Sequence, residues 1–268
     1  MTGQEGPPPA VDVTVPHPAR INDYWLGGEN HFDVDRSAGE QVLAAFPRMR
    51  ELTRLSRQFA GRVVRYMVEE AGLRQFLDVG TGMPVAGNTH QVAQGIAPEC
   101  RVVYVDHDPL VLARADALLA GSSQGAADYI HADAHDPDRI LSYASRTLDL
   151  DQPVGVMLMG ILGHVTRYAE ARAIAGRLMQ DLPVGSHLAI RDGTDTDEAY
   201  RTAMQEYGKS GAAPYQLRSP QEISRYFARL ELVEPGVVPC PLWRPADDAD
   251  VTTGTSVPVL GGVARKSE

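Results

Sequence analysis

From Gln75 onward the chain repeats one rhythm: a short apolar run, a turn, then a helical pattern. The runs are FLDV (76–79), RVVYVD (101–106), DYIHAD (128–133), PVGVMLMG (153–160) and SHLAIRD (186–192). Asp108-Pro109 and Asp136-Pro137 each offer an N-cap followed by proline at the first helical position. Gly121 stops the first of these helices, and Thr166 caps a later one that carries Ile174 and Leu178. A helix over about 196–207 follows, and Ser219-Pro220-Gln221-Glu222 reads as a capping box opening another. Alternating strands and helices require a parallel sheet with right-handed crossovers. The unbroken run 153–160 marks a central strand covered on both faces. LELVE (230–234) and VPVLGGVARK (257–266) have only the polar stretch PADDADVTTGT and no full helix between them, so the sheet is expected to end in an antiparallel hairpin.

The chain before Gln75 is organised differently. Residues 1–18 are Pro-rich, with neither the basic start nor the apolar core of a secretory signal, and read as a disordered lead-in. Residues 19–72 form a helical lid or arm, and 73–268 the α/β domain. Within the arm, Leu55, Phe59, Val63 and Met67 recur every four residues, predicting a helix from about Thr53 to Ala71 with Gly72 as its C-cap. Tyr24, Trp25, His31 and Phe32 around Gly27-Gly28 suit an aromatic cover over a site, hinged at the glycines. The competing reading is an arm that packs on the sheet or on a second subunit, so a homo-oligomer stays open.

Composition narrows the function classes. At 43% apolar residues, 268 residues are enough for one α/β domain with an ordinary core. With 35 acidic against 25 basic residues, the chain gains nothing from the counterion release that drives nucleic-acid binding, so a small-molecule partner is expected rather than DNA or RNA. No apolar run approaches the ~20 residues of a membrane span. Cys100 and Cys240 form no metal-type pair and no disulfide framework, which fits a reducing cytoplasm.

In an open α/β sheet a ligand binds beyond the carboxyl ends of the strands. Strand one ends in Asp78-Val79-Gly80-Thr81-Gly82-Met83-Pro84, where glycines let the backbone turn and approach a ligand. Strand two ends at Asp106, followed by His107; a carboxylate there can accept both hydroxyls of a ribose. Strand three ends at Asp133, a candidate acceptor for an adenine amino group, with the Ala134 N–H in reach of a ring nitrogen. Strand four ends in Gly160-Ile161-Leu162-Gly163-His164. Three acids, each at the end of its own strand and in order, point to a nucleoside-type ligand. A nicotinamide dinucleotide fits less well, because G-x-G-x-x-G has Val85 in place of its third glycine and Pro84 removes a donor from the turn a pyrophosphate needs. S-adenosylmethionine carries adenine, ribose and an amino-acid tail without phosphate.

FLDVGTGMP, VVYVDHDP and YIHADAHDP resemble the first three cofactor motifs of class I S-adenosylmethionine-dependent methyltransferases. PHPARINDYWLGGENHFDVDR, GLRQFLDVGTGMPVAGNTHQVAQ, ELVEPGVVPCPLWRP and GGVARK further resemble an actinobacterial family described simply as S-adenosyl methyltransferase, formerly a domain of unknown function. The resemblance implies a Rossmann-like, mostly parallel seven-stranded sheet, and cofactor binding by Asp78, Gly80, Gly82, Asp106 and Asp133. Thr81, His107, Ala134 and Gly160 join that set by position. One departure is Ser56-Arg57, where the family pattern is Asn-Arg.

Methyl transfer needs alignment, exclusion of water and, where the acceptor must lose a proton, a base. His164 is the candidate base; Asp192 is a second candidate, whose rival role is to cap the following helix. No histidine–carboxylate cluster has metal spacing. Methyl transfer to an oxygen or nitrogen of a small molecule heads the readings. A non-catalytic S-adenosylmethionine-binding protein and a NAD(P)-dependent oxidoreductase stay as alternatives, and aminopropyl transfer as a related chemistry. A substrate-sized cavity beside the cofactor pocket favours the enzyme.

Overall fold

The computed structural model of the chain describes residues 11–119, 125–245 and 257–268. Gly121, residues 1–10 of the expected lead-in and residues 246–256 lie outside them. Three helices come first: α1 (Pro18–Leu26), α2 (Asp33–Ala45) and α3 (Met49–Glu69). The α/β part follows as β1 (Gln75–Val79), α4 (Thr89–Ile96), β2 (Arg101–Asp106), α5 (Pro109–Leu119), β3 (Ala127–His131), α6 (Pro137–Ala144), β4 (Gly155–Met159), α7 (Tyr168–Gln180), β5 (His187–Gly193), α8 (Glu198–Lys209), α9 (Pro220–Ser224), β6 (Glu231–Leu232), β7 (Val238–Pro239) and β8 (Val259–Arg265).

The sheet runs β3-β2-β1-β4-β5-β8-β6, with β7 also on β8. The first five strands are parallel, and β8 is antiparallel to β5, β6 and β7. Among the described residues eight strands are formed where seven were expected. Glu231–Leu232 pairs with Arg265 and Ala264, and Val238–Pro239 with Gly261 and Leu260, so β6 and β7 follow one another along β8 with residues 233–237 between them. The Pro-rich stretch after residue 234 hid the second piece, because proline cannot donate to a ladder. Order reverses between β1 and β4, which makes their carboxyl ends the switch point where ligands bind.

Strand alternation sorts the core into two layers. Phe76, Val102, Tyr104, Met157, Ala189 and Val263 face the N-terminal helices and α8. Leu77, Val79, Val103, Val105, Val156, Leu158, Leu188 and Ile190 face α6 and α7. By the same parity, Asp78, Asp106, Met159 and Arg191 fall on the first face. Helix α3 lies across this face and begins at Met49, four residues before the expected start, directly after Pro47-Arg48. Its Phe59 ring fills the space over Gly261, where a Cβ would sit 2.5 Å from the ring, and meets Trp243 edge-on at 5.7 Å.

Two capping expectations change. Helix α7 has Arg167, not Thr166, at its N-cap, with no side-chain bond. Helix α8 is capped by Asp197, whose carboxylate accepts from Tyr200 N–H, which leaves Asp192 free of that duty.

Candidate active site

The loop after β1 is shaped by two glycines with left-handed backbone, Gly80 (φ +73) and Gly82 (φ +70). Gly80 N–H donates to Val105 O at 2.8 Å, and a Cβ on it would stand 2.6 Å from Ile161 Cβ. The loops after β1 and β4 therefore touch at a point only glycine permits. Gly82 N–H donates to Asp106 Oδ2 at 2.8 Å, and Asp108 N–H to Asp106 Oδ1 at 3.0 Å, so the last residue of β2 fixes the turn after β1. Burial pushes the Asp106 carboxyl above its ordinary range.

Asp78 accepts from Thr89 Oγ1 at 2.7 Å and is pushed up to about 6 by burial, against the pull of Thr89 and Arg57. Arg57 reaches this end of the site from α3, its Nη2 donating to Gly87 O at 3.1 Å. Burial lowers the guanidinium pKa, and Asp78 opposes the shift. A buried carboxylate and a half-buried guanidinium thus share this end of the cavity without forming a direct ion pair.

Helix α1 roofs the cavity with His17, Pro18, Ala19, Asn22 and Trp25. His17 is its N-cap residue and Pro18 its first helical residue, so the segment read as a lead-in contributes directly to the site. The His17 ring lies with Nδ1 3.0 Å from Asp108 Oδ2 and Nε2 3.4 Å from His107 Nε2. Arg20 Nε, 3.3 Å from Asp108 Oδ2, adds a second tie between the roof and the loop after β2. Burial pulls His17 down to about 4, so it is neutral at pH 7. Trp25 Nε1 donates to Gly39 O at 3.2 Å, which holds the indole against α2.

The far end is built by β5, α8 and a 3₁₀ turn, Leu162–His164, after β4. His164 Nδ1 lies 3.2 Å from Pro214 O; a carbonyl only accepts, so Nδ1 carries the proton and Nε2 does not. Burial pulls His164 down to about 4. Tyr215 meets the imidazole edge-on at 5.0 Å, in space left by Gly163, and its hydroxyl donates to Asp192 Oδ1 at 2.5 Å. Burial pushes Asp192 up to about 6. Met159, Arg191, Tyr200, Met204 and Tyr207 complete this wall.

These walls enclose about 1500 Å³ of empty space, part of it open to solvent. The part of it that water-sized molecules can occupy is about 200 Å³, at the small end of ligand pockets. Of the residues predicted from sequence, Asp78, Gly80, Thr81, Gly82, Asp106, His107, Gly160, His164 and Trp25 line it. Asp133 and Ala134 do not. Strand β3 stops at His131, two residues short of Asp133, which lies mostly exposed in a turn, accepts from His135, and borders a neighbouring shallow pocket shared with His107. Tyr24 and His31 are also outside the cavity: Tyr24 bonds Glu40 and Arg50, and His31 lies 3.4 Å from Asp23 Oδ2. Tyr24 sits on the face of α1 turned to α2, against Gly39 and Glu40, and Gly27 ends α1 in a left-handed C-cap that turns the chain before His31 reaches the site.

Sequence reasoning missed His17, Arg191, Tyr200, Tyr207 and Tyr215, and saw Arg57 only as part of a departure from the family pattern. A signal existed for some: an arginine inside the apolar run SHLAIRD, and Tyr200, Met204 and Tyr207 at one-face helical spacing. Among the described residues no group of three or more His, Cys, Asp or Glu can hold a metal ion, and no helix is long and apolar enough to cross a membrane.

The residues fit S-adenosylmethionine. Asp78 and Arg57 are opposite charges suited to a zwitterionic amino-acid tail, and Gly82 leaves a cradle that a Cβ would enter, with Ala19 Cβ 3.9 Å away as its nearest neighbour. The comparisons agree. A DUF574 family protein from Streptomyces avermitilis superposes with a TM-score of 0.88 at 38% identity, over 96% of this chain and 100% of that one. A candidate methyltransferase from Thermobifida fusca gives 0.89 at 35% identity, over 99% and 100%. The mitomycin 7-O-methyltransferase MmcR shares the fold alone, with a TM-score of 0.53 at 14% identity over 92% of this chain and 71% of that one. No curated protein matches the sequence. The sequence matches the S-adenosyl methyltransferase family over residues 4–267, and the chain belongs to that family as an S-adenosylmethionine-dependent methyltransferase of class I fold.

Proposed function

We propose that the enzyme methylates an oxygen or nitrogen of a small molecule held between α1, α8 and the turn after β4, with His164 as the base. The observation that carries this reading is the place of His164: it lines the cavity with Nδ1 3.2 Å from Pro214 O, a contact that favours the tautomer with the proton on Nδ1. When bound, S-adenosylmethionine supplies a methyl group on a positively charged sulfur, which leaves as the neutral thioether.

Asp78 and Arg57 would hold the amino-acid tail, Asp106 and His107 the ribose. Asp133 and the Ala134 N–H would meet the adenine edge across His107, which borders both pockets. Trp25, Tyr200, Tyr207 and Met204 exclude water from the acceptor's side of the cavity. His164 takes at Nε2 the proton that the acceptor releases as it becomes methylated. An imidazole held at about 4 is a weak base, but the oxonium formed when a hydroxyl is methylated is a far stronger acid, so a weak base suffices for an oxygen acceptor; a methylated amine keeps its proton as an ammonium and passes it to solvent on release.

The test is steady-state methyl transfer from labelled S-adenosylmethionine across a metabolite panel, comparing wild type with His164→Gln. The variant is expected to lower kcat by about 10²–10⁴ with S-adenosylhomocysteine affinity unchanged. Equal kcat in the two proteins would remove His164 from the chemistry.

A further inference from the structure

Arg191 is an unusual residue for the middle of a sheet. It lies on β5 in register with Met159 of β4, and its guanidinium crosses Gly160, where a Cβ would stand 2.8 Å from Nη1. Gly160, expected to touch the cofactor, is thus also needed to let this arginine pass. The Arg191 Nε is shielded from solvent without a hydrogen-bond partner, and among the described residues no carboxylate comes within 4 Å of either Nη. Its sequence neighbour Asp192 projects to the opposite face of the strand and is engaged by Tyr215. Tyr200, Tyr215 and Cys240 around Arg191 are neutral at pH 7; of the charged groups that act on it, Asp192 attracts it from the other face of the strand and Arg57 is a second cation. An arginine so placed stays charged and costs stability unless an anion joins it.

The cofactor's own carboxylate is one such anion, but it has a nearer partner. Its tail needs a cation and a carboxylate, and Arg57 from α3 with Asp78 from β1 supplies both at the same end of the cavity. Arg191 stands two strands further along, about 10 Å across the sheet. It shares its end of the cavity with His164, Tyr200, Met204 and Tyr207.

We propose that Arg191 pairs with a carboxylate of the methyl acceptor, so that the acceptor is an organic acid with an apolar or aromatic body. The proposal rests on the reading that this half of the cavity holds the acceptor. The planar fork of the guanidinium matches a carboxylate bidentately, and Tyr207, Met204 and Met159 offer the apolar wall against which the body lies. Arg191 then selects acids over their amides and esters and sets the acceptor's orientation toward His164.

The experiment uses the S-adenosylhomocysteine-loaded protein and two matched probes, benzoate and benzamide, titrated by calorimetry and by thermal unfolding. Benzoate is expected to bind in about the millimolar range given its nine heavy atoms, at least about tenfold tighter than benzamide. Arg191→Met is expected to abolish that preference and keep S-adenosylhomocysteine affinity within about threefold. It is also expected to leave the unfolding midpoint of the ligand-free protein no lower than that of wild type, because the Nε of this half-buried arginine, which lacks a partner, has gone. Should the methionine variant fail to fold, Arg191→Lys gives the second arm: a point charge without the fork should weaken benzoate and leave benzamide unchanged. Equal binding of the two probes, or of neither, overturns the proposal. So does an S-adenosylhomocysteine affinity that falls more than about tenfold in the variant, since Arg191 would then serve the cofactor. None of these binding results depends on His164→Gln, so failure of the anion site and failure of the proposed base are read separately.

Discussion

Asp78 is a carboxylate kept where it is costly to ionise. Burial raises it to about 6, whereas in the unfolded chain it titrates near the ordinary aspartate value of 3.8. Between those values the folded state holds the extra proton. The stabilising contribution is therefore complete at low pH and is lost as pH rises through about 6. A bound ammonium group reverses this preference, since it favours the charged form. The affinity for S-adenosylmethionine is accordingly expected to weaken as pH falls below about 6, with uptake of a proton on release. In calorimetry at pH 5.5 and 7.5, Asp78→Asn should bind more weakly than wild type at the higher pH, by about tenfold, and show little difference between the two. A mutant that keeps the wild-type pH slope would place the titrating group elsewhere. His164 stays unprotonated until pH approaches 4, so kcat at saturating cofactor should be flat across the same interval.

At the scale of elements, the site depends on two loops pressed together. Gly80 has φ +73 and Ile161 stands against it, so Gly80→Ala carries a backbone cost of about 1–2 kcal/mol and an overpacking cost of about 1–3 kcal/mol. The variant is expected to unfold at lower temperature and to bind S-adenosylhomocysteine more weakly. Ile161→Ala in the same chain should restore part of the overpacking cost and none of the backbone cost. A double-mutant cycle by thermal unfolding separates the two, and zero coupling would mean that the loops do not meet as described. Helix α1 is tied to the loop after β2 through His17 and Arg20, both at Asp108. The roof and the predicted ribose-binding edge therefore share one anchor, and Asp108→Asn should speed release of S-adenosylhomocysteine in stopped-flow measurements.

Over the whole molecule, the layer between α3 and the sheet carries both stability and the site. Phe59 sits over Gly261 beneath Trp243, while Ser56 and Arg57 of the same helix face the cavity. Phe59→Ala should cost about 3–5 kcal/mol of unfolding free energy. Because the helix also positions Arg57, the variant should lose S-adenosylhomocysteine affinity as well, although Phe59 does not line the cavity. A loss of stability in denaturant titration with unchanged affinity would show that the helix end near Arg57 is held independently of its middle. Saturating S-adenosylhomocysteine should in turn stabilise the wild type by about 2.7 kcal/mol at a hundred times its Kd.

The local chemistry of the chain determined the positions of β1, β2, β4, β5 and β8, the capped starts of α6 and α9, the glycine turn after β1, and the acids at Asp78 and Asp106. These follow from apolar periodicity and turn preferences, which act over a few residues and are written in them. The resemblance supplied the cofactor and the family. Only the tertiary structure decided what walls the cavity. His17, Arg57, Tyr207 and Arg191 lie far apart in the chain, and nothing within a few residues of any of them tells which surface its helix or strand turns to the others. The same holds for the place of Asp133: it follows an apolar run as Asp106 does, but β3 ends early and Asp133 borders the neighbouring pocket shared with His107 instead of the main cavity. Strand parity told that Asp78 and Arg191 each share a face with their alternate neighbours. That the two faces coincide, with an unpaired arginine beside the candidate base, depended on how β1, β4 and β5 align across the sheet, which long-range pairing alone sets.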